Sequence, residues 1–207
     1  MNNRFFWPVL ILFGILLIDQ LVKLYIKTNF FLGEEIHVIG DWFRIHFTEN
    51  YGMAFGMEFG GKTGKLLLTL FRIVAVSVMG WYITYLILKN HHMGYIISWT
   101  LIMAGALGNI IDSVFYGALF GYDTWFHGRV VDMFYFPLIQ TTIPNNFPFW
   151  AGEDFEFFRP VFNVADASIS IGFVIILLFQ KKFMMYEETL NKQSENLSSQ
   201  DSDLTNE

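Results

Sequence analysis

The 207-residue chain predicts a mainly α, polytopic membrane fold, with four transmembrane helices and a small extracytoplasmic β-hairpin or sheet on the outer membrane surface. Three observations carry this. Hydrophobic residues make up 54% of the chain and the mean hydropathy is +0.41, too apolar for an ordinary soluble domain. Four runs reach the roughly 20 apolar residues needed to cross a hydrocarbon core. Between the first two runs, a short segment changes to the two-residue period of a strand pair.

The first run spans about 5–26. It is too long for the apolar core of a signal peptide, carries Asp19 and Lys23, and lacks a small-residue cleavage site, so it is expected to remain as a span. In "EEIHVIGDWFRIHF", Ile36 and Val38 alternate with polar residues, as do Phe43, Ile45 and Phe47. Gly40-Asp41 between the two sets predicts a two-residue hairpin turn. The next spans are expected at about 66–88 and 94–115, and the last at about 164–183. Before the last lies a long aromatic-rich segment that includes "NNFPFWAGEDFEFF". Residues 1–186 read as one membrane-embedded domain. Residues 187–207 carry six acidic side chains and one lysine, most of the net charge of −6, and read as a disordered acidic cytoplasmic tail.

Basic residues set the orientation. Arg4, then Lys89 with His91 and His92, then Lys181 and Lys182 all fall on one side of the four spans. By the positive-inside bias that side is cytoplasmic, both termini with it, and residues 27–65 and 116–163 face outward.

Polar residues in the spans gather in the outer half. Asp19 lies roughly 21 Å from the inner end of its helix, and Asn109 and Asp112 roughly 22 and 27 Å from theirs. Arg72 is about 9 Å in from the outer end of the second span. Asp166, in "FNVADASISIGFVIILLF", stands at the outer mouth of the fourth. Ionisable groups at such depth are costly, face a bundle interior, and mark candidate functional sites. Simpler readings stand beside this one. Asp19 and Lys23, four apart, form an internal ion pair; Asn109 bonds helices together; Arg72 snorkels. The chain has no cysteine, which excludes thiol nucleophiles and thiolate metal sites. No histidine has an HExxH-type partner, so no metal is expected. "SISIG" sits in a helix without a nearby histidine, which removes a serine nucleophile.

Five blocks, in order, then carry a resemblance: "DQLVK" at 19–23, "ENYGMAFG" at 49–56, "GALGNIID" at 105–112, "GRVVDMF" at 128–134 and "FNVADASI" at 162–169. With the four spans, they make nearly all of residues 8–182 resemble the lipoprotein signal peptidases, the bacterial membrane aspartyl proteases known as signal peptidase II. The resemblance implies catalytic aspartates in the VVD and NxAD blocks: Asp132, expected on the loop before the fourth span, and Asp166 at that span's mouth. Supporting or substrate-binding residues would be Asp19, Lys23, Asn50, Gly52, Asn109, Asp112 and Asn163. It also implies an aspartic endopeptidase that cuts diacylglyceryl-modified prolipoproteins before the lipidated cysteine. Such an enzyme needs no cofactor, metal or nucleic acid, and is expected as a monomer in the bacterial inner membrane, with its site near the outer leaflet. Two carboxyls suit this chemistry because close like charges share a proton, leaving one base and one acid.

The chain departs from the family pattern in three places. The family usually has Arg after the third-block Asp, where this chain has Ser113; Arg72 or Arg129 would compensate. The link from Val114 to Gly128 and the segment from Pro137 to Pro160 are both enlarged, the latter reading as a lid or as an interfacial surface. Two rival classes remain: a small transporter or proton-conducting bundle using intramembrane carboxylates, and a structural subunit that stacks with partner helices. Neither gives a reason for the VVD and NxAD blocks.

Overall fold

A computed structural model of the chain describes residues 3–52, 61–137, 139–142, 154–157 and 161–204. Four helices are long and apolar enough to cross a membrane. The first, α1, runs Phe6–Asn29, and the second, α2, runs Gly61–Leu88. The third is α3, Met93–Ile111, continued by a π-helical segment, Asp112–Tyr116, and a last turn, α4, Gly117–Leu119. The fourth, α5, begins at Val164 and continues to Leu204, past the boundary at 187 that composition marks. Large apolar side chains stand out from the bundle, among them Phe13, Phe71, Trp81 and Leu178, each more than 60% exposed. So broad an apolar surface suits lipid rather than water.

Small residues let α3 and α5 approach each other. A Cβ on Gly105 would collide with the backbone carbonyl of Ala165, and one on Gly108 would come within 2.6 Å of Asp19 Oδ2. These glycines bring the start of α5 against α1 and α3, where the intramembrane polar residues lie. At the opposite end of the bundle, Arg4 donates to Asn90 Oδ1 at 3.1 Å, and His91 Nδ1 lies 2.7 Å from Glu187 Oε1. The N-terminus, the α2–α3 turn and residue 187 therefore share one end, as the distribution of basic residues implies.

The other end carries an antiparallel sheet ordered β1-β2-β3. β1 is Glu35–Ile39, β2 is Phe43–Asn50 and β3 is Val130–Tyr135. The β1–β2 turn corrects the sequence expectation. Ile39 pairs with Phe43 after a register shift at His37/Ile39, so the connection is three residues, Gly40 to Trp42, with Gly40 at φ +53. The apolar face is also only partly the expected one. Phe47, Val131 and Met133 pack with Ile26 and Tyr116 into a core beneath the sheet. Ile36 and Val38 stay 44% and 49% exposed. β3 brings the "VVD" block into this sheet, so Asp132 lies on a strand, opposite Thr48, and not on a loop. Within the enlarged aromatic segment, β4 (Ile139–Thr142) and β5 (Asp154–Phe157) pair as an antiparallel ribbon. Positions 138, 143–153 and 158–160 of that segment, and positions 53–56 of "ENYGMAFG", lie outside the described residues.

Candidate active site

Asn163 is the centre of the site. It precedes α5, is fully buried, and caps that helix: its Oδ1 accepts the Asp166 backbone N–H at 2.9 Å, while Asp166 Oδ2 accepts the Asn163 N–H at 3.4 Å. This reciprocal pair is a capping box, in which both orphan donors of a helix start are satisfied. Asp166 is therefore a cap residue, but the cap leaves other bonds to be made. The Asn163 amide nitrogen donates onward to Asp132 Oδ1 at 2.7 Å and to the Val131 carbonyl at 3.2 Å. One side chain thus joins the helix that carries Asp166 to the strand that carries Asp132.

The second oxygen of Asp132 accepts from the Asn50 amide, at the end of β2. Asn50 cannot turn over, because its Oδ1 accepts the Gly52 backbone N–H. Asp132 is 4% exposed. Burial, and next the negative charge on Asp166, push its carboxyl up to about 8, against the opposing pull of Lys23 and of the two amides that donate to it. An amide donor on each oxygen favours the ionised form, but exclusion from water outweighs both bonds.

A buried polar layer underlies the pair. Lys23 Nζ lies 2.9 Å from Asp19 Oδ2 and 2.8 Å from Asp112 Oδ2, with all three side chains fully buried. The ammonium also donates to Asn109 Oδ1 at 2.9 Å. That bond fixes the Asn109 amide, whose nitrogen then donates to Asp166 Oδ1 at 2.9 Å. Asp19 Oδ1 accepts the Ala165 N–H at 2.9 Å, tying α1 to the first turn of α5. The Asp19–Lys23 pair is thus an internal ion pair and also the support of an aspartate-binding asparagine. The π-helical segment serves the same layer. Its carbonyls at Ser113 and Val114 accept the N–H groups of Gly128 and Phe126 at 2.8 and 3.0 Å, folding the enlarged link back onto this segment.

Arg72 and Arg129 make contacts of their own. Arg72 donates to the Gly52 carbonyl, and the negative charge of Asp166 acts on its guanidinium. Arg129 lies over the Tyr51 ring at 5.1 Å and the Tyr122 ring at 5.5 Å, with Nη2 on the Tyr51 hydroxyl at 3.1 Å. The cation beside Ser113 is Lys65, whose Nζ is 3.0 Å from Ser113 Oγ. Sequence reasoning missed Lys65 because the apolar run begins one residue later. It also missed Gln20, which donates to Asp112 Oδ1 at 3.0 Å and accepts from the Tyr116 hydroxyl at 3.1 Å; its place beside Asp19 is the signal that was there.

The geometry offers two carboxyls held by three asparagines at the mouth of a helical bundle. Comparison with known proteins identifies the family. The family model described as signal peptidase (SPase) II matches residues 11–182. A lipoprotein signal peptidase of Porphyromonas gingivalis is 49% identical over 180 residues, 79% of this chain and 78% of the relative. One of Amoebophilus asiaticus is 38% identical over 192 residues, 86% of this chain and 81% of the relative. A solved bacterial membrane enzyme superposes with a TM-score of 0.58 at 25% identity, covering 84% of this chain and 87% of the other. From its five motif blocks, its four apolar helices and these likenesses, the chain belongs to the signal peptidase II family.

Proposed function

We propose that this aspartic endopeptidase of prolipoprotein processing cuts diacylglyceryl-modified precursors immediately before the lipidated cysteine, using Asp132 and Asp166 as an acid–base dyad. The observation that carries the dyad is Asn163, whose side chain bonds Asp132 while its backbone and side chain bracket Asp166. Asp132, with its carboxyl held near 8, keeps the shared proton. Asp166 is then the base. It takes a proton from a water as the water oxygen bonds to the scissile carbonyl carbon, and Asp132 hydrogen-bonds the carbonyl oxygen as charge develops there. Asp132 gives its proton to that oxygen, forming a tetrahedral diol; on collapse one diol hydroxyl returns a proton to Asp132 as the C–N bond breaks, and the proton on Asp166 passes to the leaving amine. The pair ends as it began, with no acyl-enzyme. Asn109 and Lys23 hold Asp166 in place, and Asn50 holds Asp132.

The enzyme works as a monomer in the bacterial inner membrane, with both termini cytoplasmic and the dyad at the outer leaflet. There the signal helix enters beside the bundle and the diacylglyceryl group stays in lipid. Turnover of matched precursors by the purified enzyme in lipid tests the substrate. The diacylated precursor should be cut before its cysteine and the unmodified one left intact. Equal cutting of both would remove lipid recognition from the proposal.

A further inference from the structure

Lys65 is buried, at 2% exposure, and among the described residues no carboxylate lies within ion-pair distance of it. Its ammonium donates to two neutral acceptors, the Tyr51 carbonyl and Ser113 Oγ, each at 3.0 Å. A buried cation with only neutral partners is expensive, and replacing it by an apolar side chain would ordinarily relieve the fold. Where it points explains what it does. Lys65 and Arg72 lie seven residues apart, two turns along one face of α2. Lys65 takes the carbonyl of Tyr51 and Arg72 takes the next one, Gly52. Gly52 is at φ +83, and a Cβ there would meet the Arg72 guanidinium at 2.5 Å. The Gly52 N–H in turn fixes the Asn50 amide that donates to Asp132.

We propose that Lys65 is a positioning residue of the peptidase reaction: from α2, and braced by Ser113 on the π-helical segment, it holds the Tyr51–Gly52 turn so that Asn50 stays on Asp132. Lys65 touches neither dyad carboxylate and acts only through that turn. Ser113 is its structural counterpart, small enough to leave room for the ammonium. The required element is a cation between α2, residue 113 and the Tyr51 carbonyl, from whichever side it is supplied.

This inference rests on the dyad reading, so wild-type enzyme and Asp166→Asn are run beside the variants on diacylated precursor. Lys65→Met should lower kcat about 10- to 100-fold, the scale of a small displacement of reacting groups, with KM within about twofold. The alkaline limb of its kcat/KM profile should move to higher pH, as in Asn50→Ala, because the Asn50 bond that opposes protonation of Asp132 is weakened. The exchange Lys65→Ser with Ser113→Lys should recover most of the loss. Lys65→Gln, which keeps a donor and most of the volume, is read in the same way should the Met variant fail to insert. Wild-type kcat in both single variants, or a lowered kcat with an unmoved limb and no recovery on exchange, would overturn the role of Lys65 while leaving the dyad standing. Failure of the wild type to cut, or full activity of Asp166→Asn, would instead count against the dyad itself.

Discussion

At the scale of single residues, the site is a problem of keeping one proton. Asp132 is buried beside Asp166, and both effects favour its protonated form. The acid is raised from a usual value of 3.8 to about 8, so the folded protein binds a proton between those values that the unfolded chain releases. Stability from this group is therefore fully present below about pH 4 and is lost as pH rises toward 8. Asp132→Asn abolishes that loss, and the variant should melt higher than the wild type above pH 8. In the proposed mechanism catalysis follows the same proton. Wild-type kcat/KM should fall about tenfold per pH unit above about 8, the signature of losing one essential acid. A profile flat to pH 10 would show that Asp132 does not carry the proton. Much of this was legible in the residues: Asp166 at a helix mouth, and Asp19 and Lys23 four apart. The three-way role of Asn163 was not, because it depends on a strand and a helix distant in sequence meeting at one amide.

At the scale of elements, legibility depended on periodicity. The β1–β2 pair was readable because Phe43, Ile45 and Phe47 alternate with polar residues. β3 was not, because Val130 to Met133 are all buried, and a strand covered on both faces reads as a plain apolar run. The start of α2 was missed for a related reason. Lys62 and Lys65 lower the apolar signal, and only the fold shows Lys65 turned inward. Helix packing gives a direct check. Gly105 touches the Ala165 backbone, whereas Gly14 has nothing within 4 Å of an added Cβ. Gly105→Ala should cost about 1–3 kcal/mol as overpacking, and impair cutting by displacing the turn that holds Asp166. Gly14→Ala should be neutral or stabilising by up to about 1 kcal/mol. Thermal unfolding in detergent separates the two, and equal melting temperatures would mean that α3 and α5 do not meet at Gly105.

At the scale of the whole molecule, the bundle has two unlike ends. One gathers Arg4, the α2–α3 turn and Glu187, and the other carries the sheet and the two proposed catalytic carboxyls, Asp132 and Asp166. Family membership answers the rival transporter and structural-subunit readings, which explain intramembrane charge but not its concentration at the sheet end. The orientation of the two ends is open to measurement because the chain has no cysteine. Asp41, whose side chain is 87% exposed at the hairpin tip, and Lys89, exposed in the α2–α3 turn, are suitable single-cysteine sites. An impermeant thiol reagent on intact cells should label position 41 and reach 89 only after lysis. The reverse pattern would invert the protein in the membrane and remove the dyad from the outer leaflet.

The central claim is that Asp132 and Asp166 act as one catalytic unit, and turnover of diacylated precursor by Asp132→Asn, Asp166→Asn and the double variant tests it most directly. Asparagine keeps the size and much of the hydrogen bonding of each carboxyl but cannot exchange the proton. Acid–base partners contribute about 10²–10⁴-fold, and members of one unit do not add. Each single variant should insert and purify normally yet lose at least about 10²-fold in turnover, with the double variant hardly worse than the poorer single. Asp123→Asn, on an ion pair with Lys62 away from the dyad, should cut at the wild-type rate. Normal turnover by either dyad variant, or losses that multiply in the double variant, would contradict a shared-proton dyad at these two positions.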